Sequence, residues 1–92
     1  MEKFYSTRYK CEIQQIRKDT ARKLFNAGVT IFMMASNMIF DNVWSVPMQT
    51  DKSRLGWHQN FDSICDEFKY YNCDCERGYY PRFYVKVTDL QN

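Results

Sequence analysis

The sequence is poor in the residues that build metal and small-molecule chemistry. Among its 92 residues are three glycines, two prolines and one histidine. Gly28, Gly56 and Gly78 stand alone, so no glycine-rich loop is available to cradle a phosphate chain. His58 has no acid–nucleophile pattern around it, which removes the usual hydrolase signature. No apolar run reaches membrane-spanning length. The longest, residues 29–35, contains Thr30 and runs into Ser36 and Asn37. The opening MEKFYSTRYK lacks the apolar segment of a signal peptide, so the expectation is a cytosolic protein. Repeats, low-complexity tracts and linkers are also missing, and the length suits one domain over residues 1–92.

Charge of one sign is lacking too. The formal net charge is +2, which excludes a polyanionic DNA mimic and is too small to indicate nucleic-acid binding by itself. The charge is uneven, however. Residues 1–28 carry seven bases and three acids, whereas residues 51–76 carry three bases and six acids.

Aromatic residues are abundant, at 17% of the chain, and concentrate in FKYYNCDCERGYYPRFYV, residues 68–85. Large rings let a short chain bury much area per residue, and exposed rings point to a partner. The four cysteines of a cytosolic chain are expected to be thiols. The one-residue spacer between Cys73 and Cys75 is tight for chelating a single ion, and Cys65 falls on an apolar helix face. Asp74 and Glu76 flank the pair and disfavour a reactive thiolate. The sequence therefore predicts no metal and no cofactor, with a zinc-stabilised module as a rival reading.

The coarse order reads as N-terminal segment, helix, strand, irregular middle, helix, strand. Residues 1–11 alternate loosely and can be a strand. CEIQQIRKDTARKLFNAG reads as helical, at least from about Lys18, with Ile13, Ile16, Ala21, Leu24 and Phe25 near one face and Gly28 at its end. VTIFMMAS suits a central strand covered on both sides. Val43, Trp44 and Val46 suggest an edge strand limited by Pro47, followed by a loop in which Trp57 covers the core. NFDSICDEFKYY is the clearest helix, capped by Asn60, with Phe61, Ile64, Cys65, Phe68 and Tyr71 on its apolar stripe. Asp62 and Asp66 read as its solvated face. NCDCERG is a turn closed by Gly78. In YPRFYVKV, Phe83, Val85 and Val87 alternate with Arg82, Tyr84 and Lys86. The predicted fold is α+β: a small antiparallel sheet packed with two α-helices in a single domain.

Three segments, KLFNAGVTIFMMASNM, DNVW and NFDSICDEFKYYNCDCERGYYPRFYV, cover over half the chain and resemble short proteins of phages and other mobile elements. Among these the chain is most similar to phage anti-CRISPR proteins, in particular those directed at the type I-F Csy (Cascade) surveillance complex. The resemblance implies a non-enzymatic inhibitor in the host cytoplasm. It also implies a partner, the CRISPR–Cas effector complex of Cas proteins and guide RNA, with no membrane and no small-molecule substrate. Such inhibitors share no common site motif, so no functional residue is carried over.

The residues themselves supply the candidates. Arg17, Lys18, Arg22 and Lys23 lie off the apolar stripe and are expected to meet guide-RNA phosphates. Arg77, Tyr79, Tyr80, Arg82 and Tyr84 are expected to anchor on a partner, since Tyr and Arg are enriched at binding hot spots. The bland alternative is that half of these tyrosines pack helix against sheet. A small nucleic-acid-binding or regulatory protein of a mobile element is the main functional rival.

Overall fold

A computed structural model describes residues 3–90. Two strands open the chain, β1 (Lys3–Ser6) and β2 (Cys11–Ile16), followed by helix α1 (Lys18–Asn26) and strand β3 (Ile31–Ala35). Strand β4 (Met48–Thr50), helix α2 (Phe61–Asn72) and strand β5 (Pro81–Lys86) complete the frame. Short 3-10 turns lie at Lys52–Arg54, Cys75–Arg77 and Val87–Leu90. The sheet order is β1-β2-β5-β3-β4, and every neighbouring pair is antiparallel. The α+β reading of the sequence therefore holds.

Both faces of this sheet are covered. On one face, α1 and α2 bury Ala21, Phe25, Phe61, Ile64 and Cys65 against Ile16, Ile31, Met33, Phe83 and Val85. On the other, Ile13, Phe32, Met34 and Tyr84 pack with Phe40, flanked by Phe4 and Tyr9. Among the described residues, no α-helix covers the second face. Residues 36–47 cross it instead, and Phe40 drops in with its ring 5.1 Å from Phe4 and 5.0 Å from Tyr84. The next residue, Asp41, has a positive φ of 66° and turns its carboxylate to the β1–β2 turn. There Ser6 Oγ donates to it at 2.9 Å and the Thr7 N–H at 2.7 Å. Ring packing and a charge-assisted bond thus hold an irregular segment where a helix would otherwise be needed.

Several expectations are corrected. Residues 11–16 form β2, not the start of a helix. Ile13 pairs beside Phe4 and Lys86, while Ile16 pairs beside Phe83. Their spacing of three puts them on opposite faces, and both faces are buried, so the spacing imitates helical periodicity. Val43, Trp44 and Val46 do not form a strand; β4 begins after Pro47. Tyr71, on the last turn of α2, is 75% exposed and does not join the apolar stripe.

Other signals read as expected. Asn60 caps α2, its side-chain oxygen accepting from the Ser63 N–H at 2.9 Å. Gly28 ends α1 at φ +94°, a conformation that disfavours residues with a Cβ.

Candidate functional site

A concavity lies where β2 hands over to α1. Its volume is about 440 Å³. Gln15, Ile16, Arg17 and Lys18 form one wall, Cys65, Asp66 and Lys69 of α2 a second, and Tyr80, Pro81, Arg82 and Phe83 a third. Four cations thus border one cleft against a single acid, Asp66. The floor is apolar, from Ile16, Cys65, Pro81 and Phe83. Burial pushes the Cys65 thiol up to about 12, so it stays neutral beneath the bases.

The N-terminus of α1 opens at the same place. Arg17 occupies its N-cap position with extended backbone and makes no side-chain cap hydrogen bond. A cation at this end of a helix opposes the macrodipole, and the leading N–H groups have no capping oxygen from Arg17. Helix end and side chains therefore both favour an anion in the cleft.

A second hollow, of about 280 Å³, shares Gln15 and Arg82 with the first. Phe4, Met38, Ile39, Phe40 and Tyr84 complete its lining. The rings of Phe4, Phe40 and Tyr84 meet one another edge-on, with centroids 5.0–6.1 Å apart.

The fold brings together four of the sequence-predicted residues, Arg17, Lys18, Tyr80 and Arg82. The other five go elsewhere. Arg22 ties α1 to α2: its guanidinium donates to Asp62 at 2.8 Å and to Asp19 at 2.9 Å. That bond raises the Arg22 pKa and holds the Asp62 carboxyl below its usual range. Asp62 is thus an ion-pair partner rather than a free solvated acid. Lys23 is exposed on α1 but does not line the cleft. Arg77 folds back on Asp74 at 3.3 Å within its turn. Tyr79 is half-buried, and its N–H donates to the Asp74 carbonyl. Tyr84 is only 4% exposed; it belongs to the second core and is corrected as a surface anchor. Sequence reasoning missed Lys69 and Gln15. Lys69 stands one helical turn beyond Cys65, and only the crossing of α2 over the sheet end brings it to Arg82.

His58 is also corrected. Its Nδ1 lies 2.7 Å from Ser63 Oγ and its Nε2 3.2 Å from a Glu67 carboxylate oxygen, although nothing local in sequence shows this. The acid and the hydroxyl occupy the ring nitrogens opposite to those of a hydrolase triad. The Ser63 and Ile64 N–H groups are taken up by Asn60, so they are not free to stabilise an oxyanion. The trio fastens the loop before α2 onto that helix. Trp57 does not cover the core; it is 77% exposed and stacks on the His58 ring at 3.9 Å.

All four cysteines are free thiols. Among the described residues, no group of three or more His, Cys, Asp or Glu side chains comes together as a metal cage. The Cys73 pKa is raised by burial and by Cys75 beside it, which works against a thiolate there. Among the described residues, no helix is long and apolar enough to cross a membrane.

Comparison with known proteins finds no matching family model, no similar curated protein and no similar solved structure. Trp44 stands 91% exposed on the segment that crosses the second face, with Ile39, Val43 and Val46 also exposed.

Proposed function

We propose that this chain is a non-enzymatic inhibitor of the anti-CRISPR type. In this reading it binds the Cas-protein and guide-RNA surveillance complex of a type I-F system in the host cytoplasm and sterically blocks recognition of target DNA. The observation that carries the reading is the convergence of Arg17, Lys18, Lys69 and Arg82 on one open cleft. Such a cleft suits the phosphates of a guide RNA. Trp44 and Val43, exposed on a segment anchored by Phe40 and Asp41, suit a protein subunit.

The test is a gel-shift assay with purified type I-F complex and its target duplex. Adding the protein is expected to abolish target binding, and the Arg17→Glu/Arg82→Glu variant to restore it. Unchanged target binding at saturating protein, with no protein retained by the complex, removes the proposal.

A second reading is favoured by the same four cations, which would hold nucleic acid without any Cas protein. Filter binding with naked strands separates the two. Tight, salt-sensitive retention indicates the small nucleic-acid-binding protein, and retention only with the assembled complex indicates the inhibitor.

A further inference from the structure

We infer that the open edge of β4 is a docking site for an extended, uncharged segment of a protein partner. The segment adds to the sheet as a further strand and seats an aliphatic side chain in the hollow beside Trp57. This site shares no residue with the cleft.

β4 ends the sheet, with β3 as its strand neighbour. Among the described residues, no other main-chain hydrogen bond reaches residues 48–50. An open edge is normally blunted by charge, by proline or by cover. The opposite edge, β1, begins with the exposed Lys3. Residues 42–50 carry no charged side chain, and Val43, Trp44, Val46 and Met48 are exposed along them. Pro47 confines pairing to the three residues of β4 without closing the edge. A row of unmet N–H and C=O groups is completed by another main chain, which a nucleic acid does not supply. Three residues also fall short of the usual strand of about five to six, too few to join two whole sheets, so a flexible segment suits this edge better than a second copy.

The hollow gives the added strand its selectivity. Its volume is about 230 Å³, below the roughly 300–1,000 Å³ of small-molecule pockets. Met48, Leu55, Trp57 and Ile64 supply its apolar lining. Met48 and Thr50 pair beside Met33 and Ile31, on the helix-covered face, whereas Gln49 pairs beside Phe32 on the other. All three β4 residues nevertheless line the hollow, so it reaches their main chain. Alternate side chains of an added strand point to the same face as Met48, where the hollow receives one of them. The charges at its border are already paired: Arg54 lies 3.6 Å from Asp51, and Glu67 lies 3.2 Å from His58. An aliphatic side chain therefore fits where a charged one would lack a partner. His58 is fastened to Ser63 at 2.7 Å, and Trp57 stacks on its ring. A wall that is already ordered loses little freedom on binding.

A phage-displayed library of random heptapeptides, panned on the immobilised full chain, supplies the probe. Fluorescence anisotropy of the selected peptides then measures affinity. They are expected to carry aliphatic residues at alternate positions. Methylating their main-chain nitrogens one at a time is expected to weaken binding roughly tenfold at every second residue, the pattern of a strand paired along one edge. Trp57→Ala is expected to weaken binding by about tenfold. Tyr70→Ala, which removes a similarly exposed ring on α2, is expected to leave it unchanged. Failure to select any peptide, binding that survives Trp57→Ala, or a methylation pattern without a period of two overturns the inference. So does a chain that sediments as a dimer with its Met48–Thr50 amides protected from exchange before peptide is added. All of these outcomes leave the phosphate cleft standing, since the gel-shift assay with the type I-F complex decides it separately.

Discussion

Cys65, which the sequence places on the apolar face of α2, is buried in the fold at 2% exposure. It lies under four bases, an environment that would normally lower a thiol pKa, yet burial dominates and raises it to about 12. The sign of its stability linkage follows. The folded state keeps the proton up to about 12, whereas the unfolded thiol releases it near its ordinary value of 9.0. The contribution is fully present below pH 9 and is lost as pH rises towards 12, by at most about 1.4 kcal/mol per pH unit for one proton. Thermal melts of the parent and Cys65→Ala across this range check it. The parent's advantage is expected to hold below pH 9 and shrink above it; a constant gap refutes the assignment. Arg22 and Asp62 mark where single residues misled. Each reads as a solvated charge on its own helix, and only the crossing of α1 and α2 pairs them.

Among the elements, a single apolar stripe or a run apolar throughout is legible, and a strand that mixes polar residues with apolar ones serving both cores is not. α2 shows its stripe and its Asn60 cap because one side meets solvent. β3 reads as a covered strand because all five residues are apolar and buried. β2 was misread because Ile13 and Ile16 serve opposite cores. The segment at 36–47 had no readable pattern, since its stability comes from two residues rather than a period. Its energetics should be correspondingly local. Phe40→Ala removes the ring that closes the second core and is expected to lower unfolding free energy by about 3 kcal/mol, as for other buried Phe truncations. Trp44→Ala, four residues on and almost fully exposed, is expected to stay within about 0.5 kcal/mol. Urea denaturation of both variants measures this. A large loss from Trp44→Ala would mean that its ring packs, and a small one from Phe40→Ala would remove the plug.

At the scale of the molecule, a net charge of +2 hides a sorted distribution. The acids of the stretch at 51–76 pair with bases inside and outside it: Asp51 with Arg54 and Glu67 with His58 within it, Asp62 with Arg22 and Lys18 and Asp74 with Arg77 beyond it. Of the acids in that stretch only Asp66 borders the cleft, beside Arg17, Lys18, Lys69 and Arg82. Half of the site was legible, as the two basic and aromatic ends of the chain. That they meet was not, because the meeting depends on β5 pairing with β2. This sorting sets the salt dependence of single-strand binding. About three net cations in the cleft give a slope of log Kobs against log[salt] near −2, at about −0.7 per phosphate neutralised. Arg17→Glu/Arg82→Glu is expected to flatten the slope towards zero. Lys10→Glu/Lys23→Glu carries the same change in net charge but lies outside the cleft, and is expected to keep the parent slope. The dependence then follows the placement of charge rather than its sum. Equal slopes for the two double variants would show that the molecule binds through its overall charge and that the cleft is not the site.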